Sequence, residues 1–264
     1  MTGPWRVEPL EVAEPAALLD RSDALLARLA EDPRPTLRWY QATRTAVVRG
    51  RGQRRLRLHH QDGVADVTRG SGGGAVLLDP AMLSLDIALP AGHPWLTRGG
   101  ASGRAALAAP ASPDPTGVFL VVGTVWRDAL ERLGVPGLRV HREPTLRPAD
   151  PARAALLTAV CFALPSRGEV LAGERKLVGL SQRRRRHGAL VQCGLLRRWD
   201  PTLLLTALGA DPDDAEVHRA AVGLDELCDD APSDAEVIAA VEAAMRAADT
   251  VDTEPQPHAP DTAT

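Results

Sequence analysis

The segment GERKLVGLSQ occupies residues 173–182 and predicts a β-hairpin. Its first dipeptide, Gly173-Glu174, predicts a turn, and residues 176–183 and 189–199 are predicted strands rich in leucine and valine. This arrangement places Lys176 near the start of a strand. Gly179 would let another part of the chain approach that strand closely, because glycine has no side chain.

The other secondary structure is predicted from the period of the apolar residues. Further strands are expected at 37–48, 63–69, 75–78, 82–89, 138–141, 158–164 and 169–171, and helices at 14–31, 117–133, 203–208, 215–222 and 234–248. Residues 91–116 are dense in Gly, Ala, Ser and Pro, which indicates a loop. Strands in the middle of the chain with helices around them predict an α+β fold, in which helices cover one side of a mixed, mostly antiparallel sheet. We expect one domain over residues 1–249 and a disordered tail over residues 250–264.

The bulk composition excludes several classes of protein. The chain has 264 residues and a net charge of -3, which gives no overall attraction to nucleic acid or to an anionic membrane. Residues 1–10 lack the apolar core of a signal peptide, and no stretch approaches the length needed to span a bilayer, so we expect neither feature. Its three scattered cysteines indicate neither a disulfide framework nor a metal site. These features predict a cytoplasmic enzyme or binding protein without a metal.

Lys176 is the only lysine among the 31 Lys and Arg residues. An ammonium is a compact point donor, whereas a guanidinium is a broad planar fork, so the two are not interchangeable. One explanation is that this lysine lies on the surface and was retained there by chance. The neighbouring motif favours the other, a site that requires an amine.

A glycine-rich turn, RGSGGGAV, covers residues 69–76 between two predicted strands. Gly72, Gly73 and Gly74 allow close approach of a ligand, and their free N–H groups suit a phosphate or an acyl carbonyl. Arg69 adds a positive charge. A flexible turn is the alternative interpretation, since the motif matches neither a P-loop nor a dinucleotide fingerprint.

Cys161 opens the segment CFALPS at residues 161–166 and precedes Lys176 by about fifteen residues. A cysteine is most often a small buried hydrophobic residue. A thiol close to a cation can instead form a thioester, which keeps an acyl group reactive towards an amine. The sequence leaves both possibilities open.

Taken in order, these motifs resemble the biotin/lipoate A/B protein ligase superfamily, specifically the lipoate-protein ligases and the cysteine-type octanoyltransferases. Residues 49–53, 69–76 and 174–182 resemble its conserved turn, glycine loop and lysine segment, and the similarity extends over about residues 14–248. The resemblance implies a single domain with the fold of the class II aminoacyl-synthetases and biotin ligases.

The resemblance also implies roles for individual residues. Lys176 matches the lysine that contacts the acyl carbonyl or acyl-adenylate, and Cys161 matches the nucleophile of the cysteine-type octanoyltransferases. The substrate-binding residues implied in the same way are Arg69, Ser71, Gly72, Gly73, Gly74, Ala75, Gly179 and Ser181. The chain departs from the family pattern at Leu78, Leu85, Leu180 and Cys193, which leaves the acyl substrate open.

Three functions follow from this resemblance. The first is transfer of an octanoyl or lipoyl group through a Cys161 thioester to a lipoyl carrier (a glycine-cleavage H protein or an E2 lipoyl domain), with acyl carrier protein as donor and no cofactor. Residues 183–186, four arginines, would steer an acidic carrier. The second is ATP- and Mg-dependent lipoate ligation through lipoyl-adenylate. The third is a non-catalytic paralogue that binds an acyl group or a carrier domain.

Overall fold

The computed structural model describes residues 5–97 and 116–251. The helices are α1 (Pro15–Arg28), α2 (Pro94–Thr97), α3 (Gly117–Arg132), α4 (Pro151–Ala159), α5 (Thr202–Ala207), α6 (Ala215–Ala220) and α7 (Asp234–Val251). The strands are β1 (Arg6–Ala13), β2 (Thr36–Ala42), β3 (Ala46–Arg49), β4 (Ala65–Thr68), β5 (Val76–Leu78), β6 (Met82–Pro90), β7 (Leu138–Val140), β8 (Val170–Ala172), β9 (Arg175–Arg185) and β10 (Gly188–Leu196).

Seven strands form the main sheet, in the order β1-β2-β6-β10-β9-β8-β7, and three form a smaller sheet, β4-β3-β5. Only the pairs β1/β2 and β3/β4 among these strands are parallel. The predicted hairpin is confirmed, since β8 and β9 pair in antiparallel fashion across the Gly173-Glu174 turn, with Ala172 opposite Arg175. The mixed, mostly antiparallel α+β fold is therefore confirmed.

Helices lie on both faces of the main sheet, so the expectation of helices on one side was wrong. On one face α3 and α7 bury a core that includes Trp39, Leu85 and Trp126. On the other face Leu25, Leu26 and Leu29 of α1 pack against β6 and β10. Alternate side chains of a central strand point to opposite faces, and both faces of β6 are buried, so it requires cover on each side.

Several predicted elements differ from those observed. The strand expected at 37–48 is two strands, β2 and β3, which belong to different sheets. The strand expected at 158–164 is wrong, because α4 extends to Ala159. Pro151 at the first helical position and the Asp150 carboxylate, which accepts from the Arg153 N–H, start this alanine-rich helix. β1 was not predicted.

The loop expected at 91–116 includes the short helix α2, and its residues 98–115 lie outside the described residues. Most of the expected tail, residues 252–264, also lies outside them, and α7 continues to Val251.

Candidate functional site

A pocket with a cavity volume of about 60 Å³ lies on the face of the main sheet that is opposite α3 and α7. Its floor includes one row of register partners across four strands, Tyr40, Ser84, Gly194 and Gly179. Three of these residues have small side chains or none, which leaves space above the sheet. The sequence therefore forms the pocket by placing serine and glycine where neighbouring rows carry larger residues.

The roof of the pocket is apolar. Leu19 of α1, Val48 of β3, and Val76 and Leu78 of β5 line it. At one end the ring of Phe162 lies over Gly179, where an added Cβ would be 2.8 Å from the Phe162 Cζ atom. Gly179 thus has the close approach that the sequence predicted, and its partner is the residue after Cys161.

A buried polar row forms one side of the pocket. Its register partners on β2, β6, β10 and β9 are Arg38, Asp86, Gln192 and Ser181. The Arg38 guanidinium donates to Asp86 at 2.8 Å, and the Gln192 amide donates to the other Asp86 oxygen at 3.1 Å. Burial raises the pKa of Asp86, and its hydrogen bonds and the Arg38 charge oppose that shift.

The glycine loop is connected to this row through Ser71. The Ser71 hydroxyl donates to the Gln192 side-chain oxygen at 2.7 Å and lies 3.1 Å from the Ser181 hydroxyl. Arg69 is itself buried, and its guanidinium donates to the carbonyls of Gly72 and Gly74 at 2.9 Å each. Arg69 therefore fixes the shape of the loop as well as contributing charge.

Cys161 lies where the loop, α4 and the pocket meet. Its N–H donates to the Ala75 carbonyl at 2.8 Å, and an Arg69 nitrogen is 3.9 Å from its sulfur. Cys161 lines the pocket and also a second, larger groove of about 710 Å³. The groove runs along α4 and contains Gln53, Gly73 and Gly74.

Lys176 is buried directly behind Cys161. Its ammonium donates to the Cys161 carbonyl at 2.7 Å and forms a 2.7 Å ion pair with Glu169. Glu169 also accepts from the N–H groups of Ser166 at 2.6 Å and Leu180 at 3.1 Å. The structure thus brings Lys176 and Cys161 together through the Cys161 backbone, and Lys176 is not among the described residues that line the pocket or the groove.

Sequence reasoning missed Glu169, Asp86 and Arg38. The alternation of β6 put Ser84 and Asp86 on one face, but it gave no sign that this face is buried under α1 and the small sheet. Glu169 precedes a short strand, and only the tertiary fold places it beside Lys176.

The departures from the family pattern occupy different places. Leu78 lines the pocket. The other three departures are register partners whose side chains belong to the core under α3 and α7: Leu85, Cys193 and Leu180. Cys193 and Leu180 also border the pocket. Burial strongly raises the pKa of the Cys193 thiol, which therefore stays protonated.

The arginine run has one half-buried and three exposed members. Arg183 pairs with Asp23 and lies against Gly70 at the start of the glycine loop. Arg184, Arg185 and Arg186 are exposed at the β9–β10 turn. Over residues 5–97 and 116–251, no cluster of three His, Cys, Asp or Glu side chains could hold a metal ion, and no helix there has the length and apolarity to cross a membrane.

Solved structures share this fold at low sequence identity. A lipoate-protein ligase A bound with ATP has a TM-score of 0.64 at 17% identity, over 94% of this chain and 85% of that chain. The bi-partite lipoate protein ligase of Thermoplasma acidophilum, described with its E2 lipoyl domain, has 0.60 at 18% identity over 94% and 84%. LipL1 of P. falciparum in complex with lipoate has 0.60 at 11% identity over 97% and 65%.

No protein-family model matches the chain, and no curated protein matches it significantly. The structural similarity nevertheless covers nearly the whole chain, as the order of the sequence motifs predicted. The chain has the fold of the lipoate-protein ligases.

Proposed function

We propose that this protein is a lipoylation enzyme that transfers an octanoyl or lipoyl group from a thioester donor to a lysine of a carrier domain through Cys161. The observation that carries the proposal is the position of Cys161 between the pocket and the groove. A thiol at this boundary can keep an acyl chain in the mainly apolar pocket while donor and acceptor exchange in the groove.

Charge and geometry both favour a nucleophilic role for Cys161. The Arg69 guanidinium is 3.9 Å from the sulfur, and a neighbouring cation stabilises a thiolate. The backbone of Cys161 is fixed on both sides, by Ala75 at its N–H and by Lys176 at its carbonyl. Fixed geometry lowers the entropy lost on reaching the transition state.

Transfer consists of two balanced steps. The Cys161 sulfur loses its proton and attacks the carbonyl carbon of the donor, so a C–S bond to Cys161 forms, the C–S bond of the donor breaks, and the departing thiolate takes up the proton. The amine of the carrier lysine then attacks this thioester. A C–N bond forms, the C–S bond to Cys161 breaks, and a proton of the amine returns to the thiolate.

Lys176 stabilises the oxyanion that develops in each step. An ammonium has three N–H donors, and Glu169 and the Cys161 carbonyl accept two of them. Because Lys176 is buried and is not among the described residues that line the pocket or the groove, its side chain must shift towards the pocket for its third donor to reach the acyl oxygen. A single donor of this kind contributes roughly 3 kcal/mol to the transition state.

The acceptor is a lipoyl carrier, such as a glycine-cleavage H protein or an E2 lipoyl domain, and acyl carrier protein is a donor. The T. acidophilum ligase that shares this fold is described with its E2 lipoyl domain. Arg184, Arg185 and Arg186 are exposed, and they follow Arg183, which lies against the glycine loop. They attract an acidic carrier to the mouth of the pocket.

ATP-dependent ligation is the second candidate. The groove of about 710 Å³ favours it, because that volume accommodates a nucleotide, and one structure with this fold contains ATP. Among the described residues that line the groove, the one carboxylate is that of Glu169. It already accepts hydrogen bonds from the Lys176 ammonium and from two backbone N–H groups. This donor set does not fit a magnesium ion, which favours transfer from a thioester.

Intact-protein mass spectrometry after mixing with octanoyl-acyl carrier protein, without ATP, tests the proposal. Cys161→Ala is compared with Cys228→Ala, a matched control because both cysteines are free and half-buried. We expect an octanoyl adduct on the wild type and on Cys228→Ala but not on Cys161→Ala, and transfer of the octanoyl group to an added lipoyl domain.

The other outcomes select the alternatives. Modification of the lipoyl domain only with ATP and free lipoate or octanoate would establish the ligase and exclude the thioester route. If neither assay modifies the lipoyl domain, the chain binds an acyl group or carrier without chemistry.

A further inference from the structure

The acyl pocket has a polar end on the side away from Cys161. Tyr40 of β2 and Ser84 of β6 line the pocket and are direct register partners. Cys161 enters from the opposite side, because Phe162, the next residue, lies over Gly179 of β9. In the strand order β2-β6-β10-β9, Ser84 is two strands from Gly179 and Tyr40 is three.

Strand spacing gives the depth of this polar end. Neighbouring strands lie about 4.8 Å apart, so Ser84 is roughly 10 Å and Tyr40 roughly 14 Å from Gly179 across the sheet. An extended eight-carbon acyl chain has a comparable length. An acyl group attached to Cys161 therefore places its middle under the apolar roof and its distal end against Ser84 and Tyr40.

The two hydroxyls are buried and retain hydrogen-bonding capacity. Ser84 and Tyr40 are 2% and 4% exposed, and burial strongly raises the pKa of Tyr40, so that its phenol stays protonated. Two hydroxyls have two O–H donors, and a hydrogen bond between them would use only one. If the bound acyl group ends in a plain alkyl group, the second O–H donor is shielded from water and gains no hydrogen bond in return. Burying an unsatisfied donor in this way is unfavourable.

The remaining polar floor is already engaged. Gln192 is fixed between Asp86 and Ser71, and Ser181 contacts Ser71 near the Cys161 end. The hydroxyls of Tyr40 and Ser84 are thus the hydrogen-bonding groups of the floor that lie farthest from Cys161.

On the basis of the proposed acyl transfer, we infer that the Tyr40–Ser84 pair selects acyl groups whose distal end carries a hydrogen-bonding group, such as a hydroxyl, over a plain alkyl chain. The apolar roof holds the methylene chain, and the hydroxyl pair supplies the specificity. The preferred substrate class is then ω-hydroxylated medium-chain acyl thioesters.

A competition experiment tests this inference. The wild type is mixed with equal amounts of octanoyl and 8-hydroxyoctanoyl N-acetylcysteamine thioesters, and intact-protein mass spectrometry at early times gives the ratio of the two Cys161 adducts. We expect the hydroxylated adduct to form about three- to tenfold faster, which corresponds to one hydrogen bond. The ratio is internal to each sample, so it does not depend on the folded fraction of a variant.

Two variants locate the effect and one serves as a control. Tyr40→Phe and Ser84→Ala should bring the ratio close to one, whereas Ser181→Ala, which removes a hydroxyl at the Cys161 end, should keep it. A wild-type ratio of one or below, or an equal decrease in all three variants, overturns the inference while the acyl transfer stands. If neither adduct forms, the proposed function itself fails, and the inference fails with it.

Discussion

Replacing Lys176 by methionine should destabilise the protein strongly, because the change leaves a buried carboxylate without its partner. The Lys176 side chain is 1% exposed and that of Glu169 is 3% exposed. Removing one member of a buried ion pair typically costs about 3–5 kcal/mol, mostly through the desolvated charge that remains. We therefore expect Lys176→Met to lower the free energy of unfolding by about 3–5 kcal/mol.

Urea denaturation of four proteins measures this effect as a double-mutant cycle: the wild type, Lys176→Met, Glu169→Gln, and the double variant. The double variant should be more stable than Lys176→Met, because the glutamine introduced by Glu169→Gln carries no charge and its side-chain oxygen still accepts from a backbone N–H group. The coupling energy between the two positions should be about 2 kcal/mol or more, within the range for residues in direct contact.

The same cycle can refute the argument. If Lys176→Met costs less than about 1 kcal/mol, or if the two substitutions are additive, Lys176 and Glu169 do not form the pair from which we assign the role of Lys176. Lys176→Arg tests the geometry further. A guanidinium is too broad for a site between one carboxylate and one carbonyl, so arginine should not replace lysine there without loss of stability.

Two other predictions concern packing and pH. Gly179→Ala would bring a Cβ to 2.8 Å from the Phe162 ring, so we expect the free energy of unfolding, measured by urea denaturation, to decrease by about 1–3 kcal/mol. Acylation of Cys161 should also be slower. If both quantities are unchanged, the close packing is contradicted. Burial lowers the pKa of His93 to about 4 from 6.5. Because the unfolded chain then binds a proton at higher pH than the folded protein, the free energy of unfolding should fall as the pH decreases from 6.5 towards 4, by at most about 1.4 kcal/mol per pH unit. His93→Phe should remove this part of the pH dependence, and identical pH profiles for the two proteins would count against it.

The local sequence was sufficient for much of the secondary structure. The 3.6-residue period of apolar residues predicted α1, and the last helix was predicted to start at residue 234, where α7 begins beside the capping box of Ser233 and Glu236. The β8–β9 hairpin followed from the Gly173-Glu174 turn and the strand signals next to it. The periods of helices and strands depend on neighbouring residues, so a single sequence contains them.

Elements that depend on distant residues were harder to predict. α4 was not predicted, and a strand was expected from residue 158, because residues 158–164 have the β-branched and aromatic content of a strand, whereas the helix is started by Asp150 and Pro151. Residues 37–48 look like one strand, and only the pairing partners divide them between two sheets.

The sequence by itself determined which residues to consider: the glycine loop from Arg69, Cys161, and the single lysine at position 176. Only the tertiary structure decided how they act together, because Cys161 and Lys176 meet through a backbone carbonyl and a carboxylate, Glu169, that no local pattern identifies. The same holds for Arg38, Asp86, Gln192 and Ser181, which come from four strands and become one row only when those strands pair. Strand register depends on interactions between residues far apart in the chain, so the pocket and its polar end exist only in the folded protein.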